Sequence, residues 1–366
     1  MAVIIAVLVI ISICVSRNTS QPTIMSSQKS DDLRISEPLH GKTSSVSLPS
    51  PLGIYNMSVR KNSTGYAGVV RASTWNGCTL YNSHPAFSYP YIIELDNDRQ
   101  TKTLTKVDID YTPWHHCSKN GHKHPAGLED PRVFTYLGED WIIASSLGSS
   151  NQPHPCVNAM CIFKVSDPQN TLRILRPPPD VSDKQTQKNW SPFEYKGKLL
   201  CEYSLRPHKL LEIDIEKGTT DYAYTSDESE FDIRLGHALR GGAPPVLIGD
   251  YYLGVGHTRT RGTANYYHFF YTFEAVAPFN ITGVSKIFKF DKADVIQFAA
   301  GLSYLDGIVY VSYGVNDCYN RISQFPIEDV IKFIYEDDDN NDNAGNDDND
   351  GNDGDKSNHS KMVFSA

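Results

Sequence analysis

The sequence is poor in the features that mark the common enzyme classes. It has no glycine-rich phosphate loop, no serine-centred strand-to-helix elbow and no helix with metal-ligand spacing, which sets aside the P-loop, α/β-hydrolase and zincin readings. An Asp-x-Asp pair occurs at Asp108 and Asp110, but it lies in a polar strand and is a weak sign of a nucleotide-sugar metal site. No long amphipathic helix is evident, and only residues 327–335 show a weak helical pattern. Positive charge is also scarce: 34 Lys and Arg stand against 43 Asp and Glu, for a net charge of −9. Ten of the acidic residues, and no basic one, fall between Glu336 and Asp355, so the rest of the chain is near +1. Nothing here suits a nucleic-acid partner, and residues 336–366 read as a solvated, disordered acidic tail.

Long apolar runs are lacking as well, except at residues 2–15. That run falls short of the roughly 20 residues a spanning helix needs, and no Lys or Arg precedes it. Residues 1–16 are therefore expected to be a signal peptide or a signal anchor, and the polar residues 17–48 a disordered linker. The expected location is the secretory pathway, as a lumenal single-pass type II membrane protein or a secreted one. Of seven cysteines, Cys14 lies in the apolar run, while Cys78, Cys117, Cys156, Cys161, Cys201 and Cys318 lie in the body. Six body cysteines, with sequons at Asn56, Asn62, Asn189 and Asn280, suit an oxidising compartment and up to three disulfides whose pairing the sequence does not reveal. The Asn189 sequon falls inside a candidate site motif and is expected to be unused.

What the chain has is a repeat. Four times a short apolar strand, a tight glycine turn and a second apolar strand follow one another, with turn glycines at Gly138, Gly197, Gly249 and Gly307, spaced 59, 52 and 58 residues apart. A hairpin cannot bury its apolar faces alone, so its recurrence implies an array in which each unit covers the next. The spacing fits β-propeller blades better than a solenoid. Five such blades fill residues 49–335, the first being a less regular unit over residues 65–110 with strands at 66–71 and 89–95. The expected fold is an all-β, five-bladed β-propeller.

Counting eight residues back from the turn glycines gives Asp130, Asn189, Gly241 and Ala299 as equivalent strand starts. Around them stand Gly-Leu-Glu-Asp-Pro-Arg at 127–132, Lys-Asn-Trp-Ser-Pro at 188–192, Arg-Gly-Gly-Ala-Pro-Pro at 240–245 and Gln-Phe-Ala-Ala-Gly at 297–301. Each motif alone is explained as a turn cap or a stiffened loop. Their shared register is not, because in a propeller these positions ring one mouth of the channel. The far ends of the same hairpins add Arg206 and His208, His257 and Arg259, and Asn316 and Asp317. Arg, Lys and His facing an Asp suit a phosphate-bearing substrate and a carboxylic acid able to protonate a departing sugar oxygen. The plainer alternative is a set of inter-blade ion pairs and hydrogen bonds.

These blocks, with His257, Phe-Ala-Ala-Gly at 298–301 and Tyr-Gly-Val-Asn-Asp at 313–317, resemble glycoside hydrolase family 130. That family contains five-bladed propellers that phosphorolyse or hydrolyse β-mannosides. The related glycosyltransferase family 108, β-1,2-mannosyltransferases and phosphorylases, is similar in the same blocks. The match is ordered and spans residues 71–317. The resemblance implies that Asp130 is the general acid of an inverting reaction, acting through a sugar hydroxyl. It also implies that Arg132, Lys188 and Asn189 line the sugar and phosphate subsites, with His257 beside them and Asp317 on sugar hydroxyls. Arg71 fits an early Tyr-Arg-Ala block of the family less closely. The surroundings of Arg206, His208 and Arg259 depart from the bacterial pattern, which leaves the acceptor and phosphate ligands open.

The expected activity is mannoside phosphorylase or mannosyltransferase, on a mannose-containing oligosaccharide or glycan. No cofactor or metal is expected, and inorganic phosphate or a sugar-phosphate donor serves as co-substrate. The alternatives are a β-mannosidase and a non-catalytic glycan-binding propeller. A hydrolase needs a carboxylate base across the sugar; Glu194 and Glu202 are available but neither is securely placed, which favours phosphate over water. The His- and Cys-containing stretch at 115–124 matches no common zinc framework. It is expected to be a loop near a sugar subsite, with Cys117 in a disulfide. Trp141 is expected in the core, and Trp114 and Trp190 beside the site.

Overall fold

The structure, a computed structural model, describes residues 39, 41–75, 78, 86–119, 122–123, 126–167, 171–226, 239–260, 263 and 265–335. The apolar residues 2–15 and the acidic tail lie outside the described residues, as do parts of the 115–124 stretch. Twenty-three strands and one helix are described: β1 (Lys42–Val46), β2 (Gly53–Asn62), β3 (Gly65–Ser73), β4 (Phe87–Leu95), β5 (Thr101–Lys106), β6 (Ser118–Lys119), β7 (His122–Lys123), β8 (Ala126–Tyr136), β9 (Glu139–Leu147), β10 (Ala159–Lys164), β11 (Arg173–Leu175), β12 (Ser191–Tyr195), β13 (Lys198–Leu205), β14 (His208–Asp214), β15 (Thr219–Thr225), β16 (Arg240–Gly241), β17 (Val246–Ile248), β18 (Tyr251–Arg259), β19 (Tyr266–Glu274), β20 (Ile281–Val284), β21 (Gln297–Leu305), β22 (Ile308–Val315), β23 (Tyr319–Pro326) and α1 (Ile327–Tyr335). The fold is thus all-β apart from α1, whose acidic first turn and Lys332 in its last turn complement the helix dipole.

Each glycine turn of the repeat is a two-residue hairpin connection. Leu137 and Gly138, Lys196 and Gly197, and Asp306 and Gly307 all have positive φ, as type I′ turns require. The strands they join extend into antiparallel meanders: β12-β13-β14-β15, β18-β19-β20 led by β16 and β17, and β21-β22-β23. An eight-stranded sheet consists of two meanders, β2 to β5 and β8 to β11, joined where Phe87 and Ser88 of β4 pair in parallel with Ala126 and Gly127 of β8.

Two boundaries differ from the sequence reading. The first unit has an inner strand, β2, ahead of residue 65; its hairpin turns at Ser63 and Thr64 without the glycine that marks the other copies. And residues 42–46, expected in the disordered linker, form β1, which pairs along its whole length with β23. Its residues are polar because four of the five stay partly or wholly exposed, and only Val46 is buried. Pairing covers the outer edge of β23, which would otherwise offer unpaired backbone groups.

The core is layered between meanders. One layer joins Phe134, Ile143, Leu199 and Leu211, and the next joins Phe193, Leu200, Phe269 and Tyr271. A third joins Leu253, Phe270, Val309 and Val311 with Val330 and Ile334 of α1. Ile322 of β23 packs with Val46, Met57 and Val70, and Val69 with Leu128, Ile142 and Cys161. First and last meanders therefore share a layer. Each fully buried Leu, Ile or Phe contributes about 1.5–3 kcal/mol. The innermost strands make contact at their starting ends, and the candidate site is built there.

Two disulfides are present, Cys78–Cys318 and Cys117–Cys156, with Cα atoms 5.5 and 5.3 Å apart. The third potential pair does not form: Cys161 and Cys201 are separate buried thiols in different core layers.

Candidate active site

Three inner strands carry a bulge at the matching position: between Tyr55 and Ser58 in β2, Glu129 and Arg132 in β8, and Ala299 and Gly301 in β21. A bulge re-aims the side chain it displaces. In β2 and β8 it puts Asn56 and Asp130 at φ of 56° and 51°, and Asn189, just before β12, stands at 63°. Asn and Asp are the non-glycine residues that tolerate this region best, which explains their presence at these positions.

The displaced side chains meet. Asn56 Nδ2 donates to Asp130 Oδ1 at 2.8 Å, and Arg71 Nη1 approaches the same oxygen at 3.1 Å. The other fork of Arg71 reaches Glu129 Oε1 at 3.2 Å, its Nε donates to Ser88 Oγ at 3.0 Å, and its guanidinium lies 5.0 Å over the Tyr55 ring. Lys188 Nζ closes the network on Glu129 Oε2 at 2.8 Å. Asp130 keeps 19% and Lys188 32% of its side chain exposed, so both are reachable from outside. Burial opposes ionisation of Asp130, but Arg71, Lys188, the Asn56 hydrogen bond and Arg132 outweigh it and hold the carboxyl below its ordinary range. Glu129 is held down in the same way by Arg71 and Lys188. Asp317, at φ 51° in the β22–β23 turn, faces Arg71, Asp130 and Glu129; burial first and then its like-charged neighbours push its carboxyl upward despite Arg71.

Arg132 occupies the other half of the cluster. Nearly all of it is buried; Nη1 donates to the Trp190 carbonyl at 3.0 Å and Nη2 to Asn189 Oδ1 at 2.7 Å, with Phe298 5.4 Å beneath. Its Nε has no hydrogen-bond partner, and no carboxylate among the described residues lies within ion-pair distance. Burial drags its pKa down to about 10, so the guanidinium is still charged at neutral pH. His257 stacks on Tyr266 and meets Phe298 edge-on, with Nδ1 unpartnered. Burial, reinforced by His268, Arg132 and Arg240, keeps it neutral. Gly241 packs closely here: a Cβ would sit 2.6 Å from Ser191 Oγ, which would have to turn away.

The structure thus brings together Asp130, Arg71, Arg132, Lys188, Asn189, His257 and Asp317. It does not bring in Arg206 or His208. Arg206 is exposed in the turn between β13 and β14. His208 is a framework residue: it is 1% exposed, bonds the Phe279 carbonyl and Glu202 Oε1 through its two ring nitrogens, and packs on Phe273. Glu202 is spent on His208 and Tyr271, and Glu194 accepts from the Leu137 amide at the turn end, so neither faces Asp130 as a base. Trp190 and Trp114 are both buried core residues, Trp190 serving the cluster through its carbonyl, whereas Trp141 is only partly buried. The Asn56 sequon is sealed, since Asn56 is 4% exposed and its amide nitrogen is bonded to Asp130.

Sequence reasoning missed Asn56, Glu129 and Tyr55. Glu129 sat beside Asp130 in the motif already singled out. Asn56 had a signal too, a polar residue seven to eight positions before a hairpin turn, hidden because that turn lacks glycine. No group of three or more metal-ligating side chains occurs among the described residues. No helix among them is long and apolar enough to cross a membrane.

No protein-family model matches the chain, and no curated protein sequence matches it. Solved structures do. The β-1,2-mannobiose phosphorylase of Listeria innocua, in complex with β-1,2-mannobiose, is similar with a TM-score of 0.52 at 14% identity, over 82% of this chain and 95% of that one. A putative glycoside hydrolase from Parabacteroides distasonis gives 0.51 at 12%, over 75% and 86%. A putative glycosidase from Bacteroides thetaiotaomicron gives 0.52 at 11%, over 75% and 87%. At such identities the likeness is one of fold.

Proposed function

We propose that this chain is a five-bladed β-propeller enzyme that makes or breaks β-mannosidic linkages with inversion, with phosphate or a sugar phosphate as the second partner and a mannose-containing oligosaccharide or glycan as the other. The observation that carries the reading is the split cluster: an ionised, reachable Asp130 on one side and, on the other, a buried Arg132 that no carboxylate contacts, its charge offset only by Asp130 at longer range. A buried cation with no counter-ion in contact costs several kcal/mol. A phosphate group at Arg132, with Lys188 near, supplies the missing contact. The absence of a carboxylate base at Glu194 or Glu202 supports phosphate over water, and the fold likeness to a mannobiose phosphorylase supports mannose as the sugar.

In the synthetic direction, the ionised Asp130 takes the proton of an acceptor hydroxyl, relayed through a sugar hydroxyl. The acceptor oxygen bonds to the anomeric carbon, and phosphate departs from the opposite face with the bonding pair. Phosphorolysis is the reverse, with protonated Asp130 as the acid. Asn56 and Arg71 fix one carboxylate oxygen and leave the other for the substrate. Asp317 and Asn189 bind sugar hydroxyls. The kinship with families 130 and 108 belongs to this proposal, as does a secretory location, which the two disulfides support.

The test incubates the purified chain with β-1,2-mannobiose, with and without phosphate, and with mannose 1-phosphate or GDP-mannose. Phosphate-dependent release of mannose 1-phosphate, or mannosyl transfer from a phosphorylated donor, is the expected result, and it is lost in Asp130→Asn. Equal turnover without phosphate makes the chain a hydrolase, and binding without any product makes it a lectin-like propeller; either sinks the proposal.

A further inference from the structure

Asp317 is the member of the cluster with the least to hold it. Among the described residues no hydrogen bond or ion pair reaches its carboxylate, and it faces two like charges, Asp130 and Glu129, across from Arg71 and Tyr55. Its turn is strained: Asn316 and Asp317 both stand at φ 51°, a conformation that costs non-glycine residues energy. One side of the turn is anchored. The Asn316 amide donates to the Ile296 carbonyl at 2.9 Å, and Asn316 Oδ1 accepts from the Ile296 amide at 3.0 Å. Gly314 below it abuts Asn56, where a Cβ would collide with Oδ1.

The other side is held covalently. Cys318 follows Asp317 directly and bonds to Cys78, 240 residues away in sequence. Cys78 lies five positions beyond the end of β3, the strand that carries Arg71. The bridge therefore ties the chain leaving Arg71 to the turn bearing Asp317, and so joins the two sides of the cluster through a bond that repulsion between carboxylates cannot stretch.

We propose that the Cys78–Cys318 disulfide is the positioning device of the sugar subsite, holding Asp317 against Arg71 and Asp130. Cys78 and Cys318 touch no substrate and act through Asp317. The part of this inference that concerns sugar rests on the function proposed above; the part that concerns the turn does not.

The full chain and its Cys78→Ser/Cys318→Ser variant are compared in two ways. Without substrate, amide hydrogen exchange over residues 316–318 should speed up about tenfold or more in the variant, while β8 around Asp130 stays protected. With β-1,2-mannobiose and phosphate, KM should rise about tenfold, a loss of about 1.4 kcal/mol in binding, with kcat within about twofold. Asp317→Asn should give the same rise and add nothing in the double-serine background. A Cys117→Ser/Cys156→Ser variant, which loses the other bridge, should leave exchange at 316–318 unchanged. If the double-serine chain does not fold, the folded wild type treated with dithiothreitol serves instead; the dithiol passes two electrons and two protons to the bridge and becomes a cyclic disulfide. Unchanged exchange at 316–318 overturns the clamp. Faster exchange with an unchanged KM removes its role in sugar binding. A wild type inactive on every mannoside defeats the proposed function and leaves the exchange comparison to decide the clamp alone.

Discussion

The two ends of the inner strands use the same unusual backbone for opposite purposes. At the turn end, positive φ is spent on Leu137 and Gly138, Lys196 and Gly197, and Asp306 and Gly307, where a Cβ added to the glycine would meet nothing within 4 Å. These residues only reverse the chain. At the starting end, positive φ falls on Asn56, Asp130 and Asn189, of which Asn56 bonds Asp130 and Asn189 bonds Arg132. The turn end has open depressions of about 410 and 330 Å³, both lined by Arg60, Val246, Leu247 and Leu302. Its charge contact is an exposed one, Arg60 with Asp140. Exposed pairing lies at one end, and a buried network on strained backbone at the other. The contrast supports placing the proposed site where strain falls on side chains with chemistry.

The sharpest way to break this contrast is Asp130→Asn. The variant keeps the shape and the left-handed preference of the residue but removes the proton carrier, so turnover should fall by about 10³-fold or more with the fold intact, as circular dichroism and product assay would show. Turnover within tenfold of wild type would make Asp130 one more framework residue. Next comes Arg71→Met. Arg71 is ligated by Glu129, Asp130 and Ser88, and its loss leaves a buried carboxylate pair held only by Lys188 and Asn56. Denaturant unfolding should register a loss of about 3–5 kcal/mol. A loss under about 1 kcal/mol would show that the cluster is solvated and not a buried network.

Much of this was legible in the chain. The hairpins were, because a two-residue turn between apolar strands carries a glycine; so was the register that aligned Asp130 and Asn189, whereas Gly249 opens its turn instead of closing it and so puts Gly241 one residue out of step. Asn56 was not, since Ser63 and Thr64 turn the first hairpin without the marker on which the count depended. Nor was β1, whose polar residues pair through their backbone and bury only Val46. His208 misled for a related reason: a His beside an Arg at a hairpin end looks like a ligand, and only the packing of Phe273 and Phe279 around it shows that Glu202 is its partner. Side-chain direction after a bulge and the occupant of a buried carboxylate are three-dimensional facts.

Acid should act on the starting end first. Glu129 and Asp130 have folded pKa values below their unfolded ones, so their stabilisation is complete above about pH 4 and is lost as pH falls through the folded values. Asp317, raised by burial and its acidic neighbours, works the other way: its ionisation costs stability at neutral pH, and acidification removes that cost. Acid also undoes the pairs that Glu129 and Asp130 make with Arg71 and Lys188, so a net loss is expected there. Calorimetry across pH should show the melting temperature of wild type dropping below about pH 4, with the gap between wild type and Asp130→Asn narrowing there. A gap independent of pH would mean that Asp130 is not held as an anion.

The smallest effect belongs to the turn end. Arg60 and Asp140 form a short pair of 2.6 Å, yet their side chains are 27% and 45% exposed, so water and salt screen the attraction and each ion remains solvated when the other is removed. Asp140→Ala should therefore cost about 0–1 kcal/mol, shrink further in salt, and leave mannoside turnover unchanged within about twofold. Its value lies in the pairing with Arg71→Met: both substitutions delete one half of an arginine–carboxylate contact, a buried one at the starting end and an exposed one at the turn end. A turnover loss in Asp140→Ala comparable to that of Asp130→Asn would move the chemistry to the open depression and reverse the assignment of the two ends.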